Sequence, residues 1–252
     1  MKRIALLFAA SLACAHAGAG DIVFAVFTST GMPMTAYRGQ ELVDGWFKQF
    51  GDALAAEMRL TPHYVVFPRK RVEEAIHRGE ADLLCDLRPE WLERKDWLWS
   101  DAMLNNTMIV ASRADTPVLT NLAALRRRRL GTILGYRYHE VEQALGSALV
   151  RDEGSSDDAN LSKLLHRRFD YMLTNSFYFD YQRKAHAQGG ELNAARFTVK
   201  NYDTYCALSP SGKISVAGVN LAIAALRHNG TMQRLQDHFR PASDVPPAPQ
   251  NK

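Results

Sequence analysis

Apolar residues along the chain fall into two alternating patterns, and each predicts a different element. "DIVFAVF" at 21–27 is a short β-rich run that predicts a strand; Val43, Trp46, Phe47, Phe50, Leu54 and Met58 then recur on one helical face. "PHYVVFP" at 62–68 predicts a second strand. Val72, Ala75 and Ile76 give the next helix a short apolar stripe, which Gly79 ends. "ADLLC" at 81–85 predicts a third strand. Strand, helix, strand, helix, strand at this density is the pattern of a parallel sheet with crossover helices.

The pattern then restarts. "TMIVAS" and "LGTIL" predict strands, Val141, Ala144, Leu145 and Leu149 mark a helix, Leu161, Leu164 and Leu165 mark another, and "FDYMLT" predicts a further strand. Two similar α/β units suggest two lobes. After "TVKNYDTYCAL" come a helix through Val219, Ile223 and Leu226, the breaker "HNG", and a last helix on Met232, Leu235 and Phe239. "PASDVPPAPQNK" at 241–252 has no apolar face and predicts a disordered tail.

The chain opens with "MKRIALLFAASLACAHAGAG". Lys2 and Arg3 precede an apolar run too short to span a bilayer, and "AHA" and "AGA" offer small-residue cleavage sites, so residues 1–20 read as a secretory signal peptide. A buried first helix fits less well, because Gly18 and Gly20 would break it. A lipoprotein signal acylated at Cys14 is disfavoured by Ser11, which stands where a Leu normally precedes such a cysteine. Cleavage leaves about 230 of the 252 residues, enough for two lobes with sizeable cores.

The formal net charge of +4 falls to +2 once Lys2 and Arg3 are removed, and this balance makes no case for a polyanion. The one dense basic run, "LRRRRLG", suits a solvated helix end before Gly131, so no nucleic-acid partner is expected. Cys85 and Cys206 are the cysteines beyond the leader. Export permits a disulfide, but two distant cysteines carry no framework pattern, and the expectation is buried free thiols. No CxxC, HExxH or EF-hand loop is present, so neither a metal nor a cofactor is expected.

"GEADLLCDLRPEWLERKDWLWSDAM", residues 79–103, concentrates three tryptophans, two arginines and four aspartates. With its neighbours it carries a resemblance. "FPRKRVEEAIHRGEADLL", "ERKDWLWSDAM", "LGTILGYRY", "RRFDYMLTN", "YCALSPSG" and "VNLAIAALRHNGTMQRLQDHF" stand in the order found in family 3 periplasmic solute-binding proteins, the receptors of polar amino acid ABC importers. The chain resembles that family over nearly all of its length beyond the leader.

The resemblance implies a two-lobed α/β fold of type II, each lobe a mainly parallel sheet flanked by helices, joined by two hinge strands. Lobe 1 would comprise residues 21–104 and 203–240, and lobe 2 residues 105–202. It also implies a periplasmic monomer that closes on a small polar or anionic solute and hands it to an ABC permease in the inner membrane. A sensor or orphan binder of the same fold differs from an importer receptor only in genomic context. An enzyme of dehydratase type would need a general acid or base facing the solute; Asp86, Asp101, His139 and Glu140 are available but show no pairing by spacing, so binding without catalysis is expected.

The implied site residues follow from the same resemblance. Arg94 stands where the family carries an arginine that forks onto the solute carboxylate, and a guanidinium suits that task. The spacing around Arg94 departs from the family by one residue, which leaves Arg88 as the alternative clamp. In the second lobe Gly135 would make the turn that brings Tyr136, Arg137 and Tyr138 to the cleft or its rim. Trp46, in "VDGWF", takes the place of a cleft residue beside the first helix, and Trp91, Tyr171 and Tyr178 are candidates for an aromatic wall. Asn175 stands where amino-acid receptors carry an acid for the α-ammonium. An amide has no charge to offer, so ordinary zwitterionic amino acids are not expected unless Asp170, Asp180 or another acid replaces it.

Overall fold

β1 (Gly20–Phe27) buries Ile22, Phe24, Ala25 and Val26 completely, as a central strand covered on both faces must. In the computed structural model, which describes residues 20–186 and 190–239, it lies between two parallel neighbours, β4 (Leu60–Phe67) and β5 (Leu83–Leu87). β4 is the outer strand, with alternating exposed and half-buried positions, and Pro62 is tolerated there because an edge strand can leave one ladder donor unmade. The expected tail, and all of the expected leader except Gly20, lie outside the described residues.

The second sheet contains β7 (Leu104–Ser112), β8 (Arg129–Ile133), β9 (Val150–Gly154) and β10 (Tyr171–Asn175). β11 (Phe197–Leu208) runs antiparallel to β7 along 197–204 and antiparallel to β5 beyond it, so the path is β4-β1-β5-β11-β7-β10-β8-β9. A short β6 (Leu98–Trp99) pairs with the end of β11. The chain thus leaves the first sheet through β7 and returns along β11.

Helices α1 (Trp46–Glu57), α2 (Arg69–His77), α6 (Val216–His228) and α7 (Thr231–Phe239) pack on the first sheet. Helices α3 (His139–Leu145), α4 (Asp157–Leu165) and α5 (Ser176–Ala185) pack on the second. The helix marked by Val141, Ala144, Leu145 and Leu149 is shorter than its apolar spacing predicts. Gly146 at φ 51 ends it, and Leu149 lies in the turn before β9. β9 itself escapes the hydrophobic pattern because "VRDEG" is a polar edge strand. The hairpin β2 (Ala36–Arg38) and β3 (Glu41–Asp44) is likewise too short for periodicity to register.

The expectation of free thiols is overturned. Cys85 on β5 and Cys206 on β11 form a disulfide across 121 residues of sequence, and both are fully buried. Their adjacency is created by strand pairing, which spacing along the chain does not encode. A cross-link closing so long a loop restricts the unfolded chain, and losing one typically costs about 2–5 kcal/mol. The double variant Cys85→Ala, Cys206→Ala is expected to unfold at a lower urea midpoint than the oxidised parent with unchanged helix content. Coincident midpoints would remove the stabilising role of the bridge.

Candidate functional site

The C-terminal ends of the parallel strands β1, β4 and β5 meet the second lobe, and ligand crevices of α/β sheets form at such ends. A cavity lies there, lined by Phe27, Thr30, Met34, Thr35, Phe47, Arg69, Asp86, Leu87 and Trp91 from the first lobe side. Met108, Ile133, Tyr136, Arg137, Tyr138, Asp157, Leu173, Thr174, Asn175 and Tyr202 line it from the other. Centres of water-sized spheres have ≈ 80 Å³ in it. A single water needs roughly 10–15 Å³ on the same measure, so the space suits a small solute.

The lobes touch around this cavity. The Asp157 N–H donates to the Ser29 carbonyl at 3.1 Å, the hydroxyls of Ser29 and Tyr136 are 3.0 Å apart, and Gln182 Nε2 donates to the Met32 carbonyl at 3.0 Å. Gly31 sits so close to the second lobe that a Cβ there would run into the Asp158 carboxylate. That carboxylate is itself engaged by the Tyr178 hydroxyl at 2.8 Å.

Two carboxylates enter the cavity, one from each lobe. Between Leu84 and Leu87, β5 spends three steps against two on β11, and this bulge holds Asp86 at φ 60. Left-handed backbone is strained for most residues but tolerated by aspartate, and a bulge re-aims a side chain that a regular ladder would point elsewhere. Burial pushes the Asp86 carboxyl up to about 6, against a lowering hydrogen bond from Thr204. Asp157 opens α4, whose N-cap is Ser156, and accepts from Thr174 Oγ1 at 3.0 Å. Burial pushes it up to about 7; the Thr174 bond opposes this, while the charges of Asp158 and Asp86 add to it. Neither Asp86 nor Asp157 has a cationic partner among the described residues.

Arg69, the first residue of α2, reaches the same cavity. Its guanidinium lies 5.5 Å from the Phe27 ring, Nη1 donates to Glu73 at 3.2 Å and Nη2 donates to the Trp91 carbonyl at 3.0 Å. Sequence reasoning passed over Arg69, although "FPRKR" puts it directly after a parallel strand, where such crevices form.

Among the residues expected at the site, Tyr136, Arg137 and Asn175 line the cavity, and Tyr138 and Trp91 do so as well. Arg137 is 58% exposed and stands 3.9 Å from Glu93 at the rim. Asn175 caps α5, its Oδ1 accepting from the Tyr178 N–H at 2.9 Å. Arg94 lies away from the cavity, a correction: it forks onto Asp96 at 3.1 and 2.7 Å and borders a hollow outside the mouth. The two-residue reach to Asp96 turns the guanidinium that the resemblance assigned to a solute toward a local carboxylate.

Arg88 lies beside the cavity without lining it, its guanidinium over the rings of Trp91 and Tyr202 and paired with Glu90. Trp46 is also corrected. It is fully buried and stacked on Phe50 with centroids 4.9 Å apart, because it belongs to the same apolar stripe as Phe47, Phe50 and Leu54. Asp170 and Asp180 do not supply the missing charge, being paired with Arg113 and Arg196. Asp86, weighed in sequence as an acid or base, and Asp157 do reach the cavity. Tyr171 and Tyr178 turn elsewhere, to the Pro117 carbonyl and to Asp158. No group of side chains that could hold a metal ion occurs among the described residues.

No protein-family model matches the chain, and no curated protein does. Solved structures match its shape. A substrate-binding protein of an ABC uptake transporter from Streptococcus pneumoniae, with bound histidine, gives a TM-score of 0.74 at 17% identity over 88% of this chain and 93% of that one. An ancestral arginine-binding protein bound to arginine gives 0.72 at 14% identity, over 87% and 98%. An ancestral amino acid-binding protein, a precursor of cyclohexadienyl dehydratase, gives 0.73 at 14% identity, over 88% and 96%. At these identities the likeness is one of fold. The chain has the two-lobed α/β fold of type II periplasmic binding proteins, as expected from its resemblance to family 3.

The two raised carboxyls set a pH dependence. Between the ordinary carboxylate range near ~4 and about 7 the folded state holds more protons than the unfolded one, so stability falls as pH rises through that window. Asp44, Asp96, Asp115 and Glu140 are lowered instead, and their contribution is lost only below the ordinary range. The solute-free protein is therefore expected to be more stable at pH 5 than at pH 8, by a few kcal/mol at most at about 1.4 kcal/mol per unit. Asp157→Asn should flatten the slope and raise the urea midpoint at pH 8. An unchanged slope in that variant would remove Asp157 as its source.

Proposed function

We propose that the protein is an extracytoplasmic solute-binding protein that captures a small polar solute between its lobes and delivers it to an ABC importer. The observation that carries the reading is the cavity to which both lobes contribute polar side chains, with Asp86 and Arg69 on one wall and Asp157, Thr174 and Asn175 on the other. Small-molecule sites are mostly apolar with a few convergent polar groups, and here Phe27, Phe47, Leu87, Trp91, Met108 and Leu173 make the apolar part. Lobes joined by two strands close around a ligand by hinge motion, and periplasmic binding proteins are the general example of it. The second-lobe boundaries 105–202 follow the same reading, with the hinge in β7 and β11. Export directed by the leader places the protein where such a receptor works, as a monomer facing an inner-membrane permease. Solved proteins of the same fold bind histidine and arginine, which supports a small-molecule role and leaves the solute of this chain to its own residues.

A thermal-shift panel of amino acids, organic acids, amines and short peptides tests the proposal. A ligand at a hundred times its Kd stabilises by about 2.7 kcal/mol. At least one class is expected to raise the Tm and, in small-angle scattering, to shift the solution ensemble toward the closed form. Gly31→Ala should weaken that binding by about tenfold, because its methyl must displace Asp158 from Tyr178 or hold the lobes apart. Arg94→Ala should leave affinity unchanged. A panel that produces no stabilisation anywhere, with turnover of one of its members instead, would replace binding by catalysis at Asp86 and Asp157.

A further inference from the structure

We infer that the solute is a short organic dication, of the α,ω-diamine class, whose two cationic ends are taken by Asp86 of the first lobe and Asp157 of the second. The inference rests on the solute-binding reading and assigns the substrate class of that same cavity.

The charge distribution leads to it. Four charged side chains line the cavity: Asp86, Asp157, Arg69 and Arg137. Arg69 has both terminal nitrogens engaged, by Glu73 and by the Trp91 carbonyl, and Arg137 is mostly in solvent beside Glu93. The two aspartates have hydroxyl partners, Thr204 and Thr174, and no cation. A carboxylate drawn out of water without a counter-charge is costly, and here the charge of Asp86 bears on Asp157 as well. An anion placed between them would add to the repulsion, so the anionic solute implied by the resemblance fits this cavity poorly.

A zwitterion of neutral side chain would answer only one of the two aspartates, and its own carboxylate would share Arg69 with Glu73 and the Trp91 carbonyl. A dication answers both. Phe27, Trp91 and Tyr202 already carry the guanidiniums of Arg69 and Arg88, and of the remaining wall Tyr136 presents a ring to an alkylammonium end while Phe47, Leu87, Met108 and Leu173 accept the methylene chain. The available space favours a short chain over a long polyamine.

The two acids also have different structural origins that keep them there. Asp86 is aimed by the bulge in β5, at a φ that asparagine tolerates as well. Asp157 stands at the first position of α4, where the helix dipole favours negative charge. Asparagine therefore replaces either acid with little change of shape.

Calorimetry at pH 8 with the full mature chain tests the proposal, using the diaminoalkanes from 1,3-diaminopropane to 1,6-diaminohexane, butylamine, lysine, glutamine and glutarate as probes. One diamine is expected to bind at micromolar Kd, at least a hundredfold tighter than butylamine, glutamine or glutarate. Asp86→Asn and Asp157→Asn should each weaken it tenfold or more, with circular dichroism and Tm certifying that both variants fold. Butylamine binding as tightly as the best diamine would overturn the two-ended site. Tighter binding of lysine, glutamine or glutarate than of any diamine would overturn the dication while leaving the solute-binding reading intact. Absence of binding by every probe overturns the dication, and if the wider thermal-shift panel is silent too, the solute-binding reading falls with it.

Discussion

β11 pairs with β7 along its first part and with β5 and β6 along its last, so one strand belongs to both sheets. The site depends on this sharing. Where β11 meets β5 the ladder carries a bulge, and Asp86 sits within it, flanked in sequence by Cys85, whose disulfide to Cys206 ties the same two strands. An irregular ladder is ordinarily a weak place, since the extra residue leaves backbone groups unpaired. Here a covalent bond stands beside the irregularity, and Thr204, buried and one residue before Tyr205, lies against the carboxyl that the bulge presents and partly offsets its burial, while its hydroxyl also reaches the Leu104 carbonyl at 3.3 Å. The crossover strand, the bridge and the acid thus form one construction at the root of the cleft.

The second acid is held by different means. Asp157 takes its place from the start of α4, with Ser156 as the cap and Thr174 on β10 fixing its carboxylate from the side. Its backbone N–H is the donor that reaches the Ser29 carbonyl of the other lobe. One residue therefore serves both as a wall of the cavity and as a point where the lobes meet, which links occupancy of the cavity to the contact between lobes. Gly31 belongs to the same contact, because without a side chain the loop after β1 can approach Asp158.

Much of this architecture is legible in sequence, and what is not has identifiable causes. Long apolar runs such as "DIVFAVF" and the stripe on Trp46, Phe47, Phe50 and Leu54 declare a buried strand and a helix face because burial demands those periodicities. The same stripe shows why Trp46 is core: a residue in phase with three buried neighbours has no free face to give a ligand. Arg94 misleads for the opposite reason, since a motif position says nothing about the partner two residues on, and Asp96 draws its guanidinium into a two-pronged local pair. Asp86 stands in sequence as one available acid among several and Asp157 does not stand out at all, because their meeting is a matter of geometry. One depends on a bulge and the other on which face of a two-lobed cleft a helix begins, and neither is written in local spacing. The Cys85–Cys206 bridge is of the same kind, a product of pairing between strands far apart in the chain.

Charge decides how such a cleft works. In the structure burial raises both carboxyls and the charge on Asp86 is felt at Asp157; under the proposed hinge motion, opening the lobes would return water to both and weaken their interaction. Under that motion, closing the empty cavity would cost proton uptake or repulsion unless something positive occupied the space. A neutral solute of equal shape would gain the apolar contacts but leave that resistance in place. Selectivity then comes from the free energy of closure as much as from contact with the solute, because only a counter-charged occupant removes the term that keeps the lobes apart.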